Sequence, residues 1–82
     1  MNSIEIYNSL AKIAYLIQIE ETGSLEEFAQ KCEIKKRTLY NRIEMLREFA
    51  AIEDAKILYD GKRKTYYFSP RGKFTDFKFK TI

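Results

Sequence analysis

The sequence has no histidine and a single cysteine, Cys32. The usual zinc ligand sets are therefore excluded, and Cys32 cannot form an internal disulfide. No apolar run approaches the roughly 20 residues needed to span a bilayer, and residues 1–5 lack the basic-then-apolar order of a secretion signal. These absences predict a cytoplasmic protein that needs no metal and does not enter a membrane.

The residue patterns of enzymes are missing as well. There is no Gly-rich phosphate loop, and there is no paired-carboxylate constellation beyond solvated helix faces. A chain of 82 residues is enough for one small domain, predicted over residues 1–82, but it leaves little room for a substantial pocket. We therefore expect a protein that is not an enzyme, that has no cofactor and that has no evident small-molecule ligand.

Charge is distributed unevenly along the chain. Residues 1–33 carry two cations and six anions, whereas residues 34–82 carry thirteen cations and six anions, so the two parts sum to −4 and +7. Uneven charge is common on solvated surfaces. In so small a domain it also favours a basic face for a polyanion.

Periodic apolar positions predict three helices, over about 3–22, 24–32 and 36–50. Gly23 suits the left-handed position that ends the first helix. Ser24 and Glu27 form the S-x-x-E pattern of a capping box at the start of the second helix. Cys32 falls on the buried stripe of that helix, so we interpret it as a small core residue and not as a reactive thiol.

A β-hairpin is predicted after the third helix. Two segments rich in β-branched and aromatic residues, 56–59 and 65–68, flank an Asp-Gly turn with a basic tip, which is a strong hairpin signal. The hairpin covers about 56–69. The tail, 70–82, contains Phe74, Phe77 and Phe79, which suggest one further short strand. The sequence therefore predicts an α+β fold in which a hairpin follows three helices.

Three helices and a basic-tipped hairpin are the arrangement of a winged helix-turn-helix domain. The matching strings are TGSLEEFA at 22–29, an isoleucine at 34, RTLY at 37–40, and YD and RKTYYF within 59–68. In these strings the chain resembles the N-terminal module of bacterial DeoR-type and WYL-type transcriptional regulators. The resemblance implies a regulator that binds double-stranded DNA sequence-specifically. We also expect a homodimer joined through the first helix or the C-terminal tail.

The chain departs from the pattern of these relatives at several positions. Glu33 stands where they usually have a turn glycine, and Lys35 stands where they have Ser or Thr capping the third helix, a cap worth around 1 kcal/mol. Ala50-Ala51 stands where these relatives often have a glycine after the third helix. Residues 52–55 make the segment before the first strand of the hairpin longer than usual. The matching strings belong to the DNA-binding module alone, so the resemblance implies nothing about ligand sensing.

The third helix is expected to enter the major groove and to place Arg37, Thr38 and Asn41 at base edges. Contacts to the DNA backbone are expected from Lys35, Lys36, Tyr40, Arg42, Lys62, Arg63 and Lys64. Cations at a helix N-terminus oppose the helix dipole, and phosphates would offset that cost. These polar residues could instead be ordinary surface. Thr38 could contact phosphate, and the Tyr40 ring could pack on the second helix.

A protein-interaction module without DNA binding is the alternative, since winged helices also serve in docking and dimerisation. The aromatic stretch from Phe74 to Phe79 could add a strand to the edge of a partner sheet. Met45 and Phe49, on one side of the third helix, favour an additional contact surface, such as that of a homodimer. A polar and basic outward face on the third helix favours DNA, although Glu44 lies on that face and would repel phosphates.

Overall fold

Three α-helices precede two antiparallel β-hairpins in the computed structural model, which describes residues 3–76 and 78–82. The helices are α1 (Ser3–Gln18), α2 (Leu25–Cys32) and α3 (Lys36–Ile52). The first hairpin pairs β1 (Lys56–Asp60) with β2 (Thr65–Ser69), and the second hairpin pairs β3 (Gly72–Thr75) with β4 (Lys78–Thr81). The predicted α+β class, with helices first and strands after, is confirmed.

Helix α1 ends earlier than its apolar pattern predicts, and Glu20 takes the left-handed position in place of Gly23. Glu20 has a φ of 58°. Its N–H donates to the Ile17 carbonyl at 3.1 Å, and the Glu21 N–H donates to the Leu16 carbonyl at 3.2 Å. These two bonds form the Schellman motif, which satisfies carbonyls of the last turn. Gly23, also at positive φ (74°), lies in the following loop, where a side chain would collide with Glu27.

The predicted capping box at the start of α2 is confirmed. The Glu27 N–H donates to Ser24 Oγ at 3.3 Å, and the Ser24 N–H donates to Glu27 Oε1 at 3.2 Å. These hydrogen bonds lower the pKa of the Glu27 carboxyl. Cys32 is half-buried against the core, and burial raises the pKa of its thiol. It is therefore packed as the small core residue that its position in the stripe predicts.

The buried apolar side chains form one cluster that all three helices and both hairpins share. Helix α3 contributes the four residues of its predicted inner stripe, Leu39, Ile43, Leu46 and Ala50. Helix α1 contributes a second stripe, Leu10, Ile13, Ala14 and Ile17. Because α1 and α3 are both held by this core, the opposite side of α3 is left to solvent.

The tail forms two strands where the sequence predicted one. Phe74 and Phe79 are direct cross-strand partners in the second hairpin, so both rings point into the core. Two residues five positions apart would point to opposite faces of a single strand, and only the turn between them places both inside. Phe77 lies outside the described residues. Because Gly72 sits against the Phe79 ring and the Lys80 carbonyl, a Cβ at this position would overlap both groups.

The second hairpin packs against part of the surface predicted at Met45 and Phe49. The Phe49 and Phe74 ring centroids are 5.4 Å apart, and Met45 packs against the core. Phe74 also meets Tyr7 at 6.2 Å, and Phe79 meets Phe68 at 4.8 Å. Both Met45 and Phe49 are partly buried within the chain, and an additional contact surface at their exposed parts stays a prediction.

Candidate nucleic-acid interface

The outward face of α3 is polar and lies open to solvent in its first two turns. Arg37 and Asn41 are exposed, whereas Leu39 between them is fully buried. Tyr40 is 56% exposed, so more than half of its surface faces solvent. Thr38 is partly exposed on the flank. The three predicted base-contacting residues thus lie together near the start of α3, with Tyr40 beside them.

The N-terminus of α3 has no capping side chain. Lys35 occupies the N-cap position in extended geometry without a side-chain hydrogen bond, and the first turn contains no acidic residue. Its N–H groups and the exposed Lys35 and Lys36 all favour an anion from outside the chain. Lys36 Nζ does meet Glu26 Oε1 at 3.2 Å, but this pair is exposed and such pairs contribute little.

The Glu33 turn that joins α2 to α3 has the geometry that a glycine would adopt. Glu33 has a φ of 56° and closes α2, its N–H donating to the Gln30 carbonyl at 3.1 Å. The left-handed turn is therefore formed without a glycine, at the cost of a strained backbone that is about 1–2 kcal/mol for a residue with a Cβ. The departure at Glu33 changes the local stability and leaves the placement of α3 intact.

Arg47 joins α3 to the first hairpin. Its guanidinium donates to Glu44 Oε1 at 2.6 Å and to the Ile57 carbonyl at 3.3 Å. The negative charge of Glu44 is thereby offset within the protein. Arg42 is partly buried beside Met45, with its Nη1 4.0 Å from Sδ, so it lies on the flank and not on the outward face.

The tip of the first hairpin is built around Asp60. Its carboxylate accepts from the backbone N–H groups of Lys62 (2.9 Å) and Arg63 (3.2 Å) and from Arg63 Nε (2.9 Å). The Arg63 side-chain bond is the main reason that the pKa of Asp60 is lowered. Lys62 and Lys64 remain exposed. The three predicted tip cations are therefore not equivalent, because Arg63 is already engaged.

Glu20 forms ion pairs with two arginines. The sequence did not predict this cluster. Its side chain is only 12% exposed, and its carboxylate meets Arg63 Nη1 at 2.5 Å and Arg71 Nε at 3.2 Å. One arginine comes from the tip of the first hairpin and the other from the segment that leads into the second. A separation of 43 residues between Glu20 and Arg63 leaves no local pattern that could have signalled this cluster.

A buried pair of threonines anchors the first hairpin to the loop after α1. The Thr22 N–H donates to Thr65 Oγ1 at 3.2 Å, and the Tyr66 N–H donates to Thr22 Oγ1 at 2.9 Å. Thr22 is fully buried and Thr65 is 2% exposed. Because buried backbone N–H groups need acceptors, these bonds fix the hairpin relative to the helices.

In the part of the chain that the structure describes, no helix is both long and apolar enough to cross a bilayer. Over the same residues, acidic and cysteine side chains do not gather into a group that could hold a metal ion. No family model matches the chain, and neither does any curated protein or solved structure.

Proposed function

We propose that this chain is a bacterial winged helix-turn-helix protein of the cytoplasm that binds double-stranded DNA sequence-specifically and regulates transcription. In this proposal α2, the Glu33 turn and α3 form the helix-turn-helix, and the first hairpin is the wing. The order of three helices followed by a hairpin is compatible with that topology. The resemblance of its sequence strings to DeoR-type and WYL-type modules supports the same conclusion.

The observation that carries the proposal is the first turn of α3. Exposed cations surround a helix N-terminus that has neither a capping side chain nor an acidic residue. The arrangement is unfavourable for an isolated helix and favourable beside phosphates. Arg37, in this first turn, and Asn41, one turn after it, lie on the outward face of the same helix, where base edges in the major groove would be reached. Arg pairs bidentately with guanine and Asn with adenine.

Exposure and ion pairing distinguish the wing residues that are available for contacts to phosphates. Lys62 and Lys64 are exposed at the hairpin tip, so they are assigned the backbone contacts. Arg63 would first have to leave Glu20 and Asp60, and its guanidinium also lies 5.7 Å from the Tyr67 ring centroid. We therefore assign Arg63 to holding the tip in place.

The proposed homodimer would use α1. Ile4 (71% exposed) and Tyr15 (58% exposed) lie on one stripe of this helix, with Ile19 (39% exposed) just past its end. Two such helices packed antiparallel would bring Ile4 of each copy near Ile19 of the other, which is the self-complementary contact of a two-fold dimer. The same stripe favours the second candidate function, in which the chain docks on another protein without binding DNA.

The experiment that tests the proposal is selection of a preferred duplex from a random pool, followed by titration of two variants. Arg37→Ala should weaken the selected duplex by ~1–3 kcal/mol and relax the preference at one position. Lys64→Ala, the matched loss of one cation, should weaken all sequences about equally. If both variants kept every affinity of the parent, the proposed contacts would be wrong. A pool with no enrichment would favour the docking function.

A further inference from the structure

The outer face of the second hairpin is lined with lysines. Side chains alternate along β3 and β4, so Phe74 and Phe79 point inward while Lys73, Lys78 and Lys80 are exposed. Lys73 and Lys80 are direct cross-strand partners, and Thr75 pairs with Lys78 on the same face. Three ammonium groups therefore share one side of a two-stranded sheet.

This arrangement works against the stability of the hairpin. Like charges directly opposite each other in a sheet are destabilising, and a two-stranded hairpin is marginal to begin with. Within residues 3–76 and 78–82, these three lysines form no ion pair with an acidic side chain. Residues 71–82 contain four cations and one anion, so their net charge of +3 equals that of the whole chain.

The second hairpin lies beside α3, on the flank opposite the first hairpin. Arg47 faces β1 through the Ile57 carbonyl, whereas Phe49 faces β3 through the Phe74 ring. Residues two apart on an α-helix point about 200° apart. The two hairpins therefore border the C-terminal half of α3 on its two sides, and a duplex lying along the outward face of α3 would extend toward both.

We propose that the outer face of the second hairpin is a second phosphate-binding surface for duplex DNA, formed by Lys73, Lys78 and Lys80. This inference rests on the proposed function, and it adds a contact outside the helix-turn-helix and the wing. The lysines would neutralise phosphates of the duplex that α3 reads, beyond the groove that α3 occupies. Phosphates between Lys73 and Lys80 would also offset the repulsion of this pair.

A different role for these lysines leads to a different expectation. Lysines on small exposed sheets also prevent edge-to-edge aggregation. Neutralising two of them would then leave DNA affinity unchanged and would promote aggregation. A phosphate-binding role requires that affinity falls while the fold becomes equally or more stable, because the repulsion between Lys73 and Lys80 is removed.

The test uses fluorescence anisotropy with a duplex of about 20 base pairs. The 36 Å long axis of the protein matches about 11 base pairs, so this duplex is longer than the protein. The variant Lys73→Gln/Lys80→Gln is compared with the parent and with Lys12→Gln/Lys31→Gln, which removes the same charge from α1 and α2. We expect the hairpin variant to bind about 3–10-fold more weakly at low salt, with a salt slope shallower by about 1–2. Thermal unfolding by circular dichroism should show an unchanged or raised Tm.

The outcomes separate the two proposals. If the parent binds with a steep salt dependence and Arg37→Ala weakens it, but the hairpin variant matches the Lys12→Gln/Lys31→Gln control, the second surface is wrong and the proposed function stands. A hairpin variant that loses affinity only because its Tm has fallen also overturns the second surface. A parent that does not bind duplex DNA overturns both.

Discussion

The two hairpins both contribute apolar side chains to the shared core, yet they differ in the polar bonds that attach them to the helices. The first hairpin adds buried polar bonds, from Thr22 to Thr65 and Tyr66, and a bond from Arg47 to the Ile57 carbonyl. The second hairpin depends more on its rings, Phe74 and Phe79, with one bond from the Asp76 N–H to the Tyr7 hydroxyl. The difference matters because polar attachment consumes charged side chains and apolar attachment does not.

The consequence is visible in the cations that each hairpin leaves available. At the tip of the first hairpin, Arg63 is bound to Glu20 and Asp60, so part of the positive charge of the tip is neutralised within the protein. On the second hairpin, Lys73 and Lys80 stand opposite each other on the solvent face. A count of basic residues therefore overstates the number of cations that the first hairpin offers to phosphates, whereas the three lysines of the second hairpin are all exposed.

Substitution of one glycine in each hairpin should give the largest difference in stability. Gly72→Ala places a methyl group against the Phe79 ring and the Lys80 carbonyl, so we expect a loss of about 2–3 kcal/mol in the free energy of unfolding. Gly61→Ala meets nothing within 4 Å and should stay within about 0.5 kcal/mol of the parent. Urea denaturation of both variants measures the difference. Equal stabilities would show that the second hairpin is not packed as described.

The polar anchor of the first hairpin should give the next largest effect. Thr22→Val keeps the shape of the side chain but removes the acceptor of the Tyr66 N–H, which should cost about 1–2 kcal/mol. Thr75→Val, at an exposed position of the second hairpin, is the matched control and should be nearly neutral. The same denaturation assay applies. A neutral Thr22→Val would mean that the bond from the Tyr66 N–H does not help to hold the hairpin.

Removing the Glu20 carboxylate from Arg63 should make the charge of this arginine more available to DNA, as the lysines of the second hairpin already are. Glu20→Gln removes the carboxylate shared by Arg63 and Arg71, and we expect a stability loss below about 1 kcal/mol because both arginines are more than half exposed. Affinity for any duplex should rise more than in Glu21→Gln, which removes one negative charge from an exposed neighbour. Equal gains in the two variants would show that net charge alone sets the affinity.

The smallest expected effect is a pH dependence at the tip of the first hairpin. Hydrogen bonds, above all from Arg63, lower the pKa of Asp60 in the folded chain. A lowered folded pKa means that the stabilisation is present above the ordinary Asp pKa and is lost as the pH falls through the folded value. Resonances of Lys62 and Arg63 should therefore shift on acidification in an NMR titration, while Lys73 and Lys80 stay in place. Asp60→Asn should abolish the shift.

The sequence predicts those features that depend on neighbouring residues. The Asp-Gly turn at Asp60 and the capping box of Ser24 and Glu27 act within a few positions, so their hairpin and helix start were found at the right places. The stripe of Leu39, Ile43 and Leu46 likewise identifies the inner side of α3. The outward side is the one opposite this stripe.

Features that depend on distant pairs were missed. The carboxylate of Glu20, the left-handed residue that ends α1, meets two arginines that follow far along the chain. The tail folds as a hairpin because Phe74 and Phe79 can both reach a core that other elements complete. Of the candidate site, the positions of Arg37 and Asn41 could be predicted from helical periodicity, whereas the ion pair between Arg63 and Glu20, 43 residues apart, could not.

The most direct measurement of the central claim is anisotropy of the purified protein with a random-sequence duplex at low and at moderate salt. Binding through phosphates releases counterions, so the account predicts measurable affinity at low salt and a steep fall as salt increases. An absence of binding even at low salt would contradict the assignment of α3 and the hairpins to DNA, and would leave the exposed stripe of α1 as the functional surface.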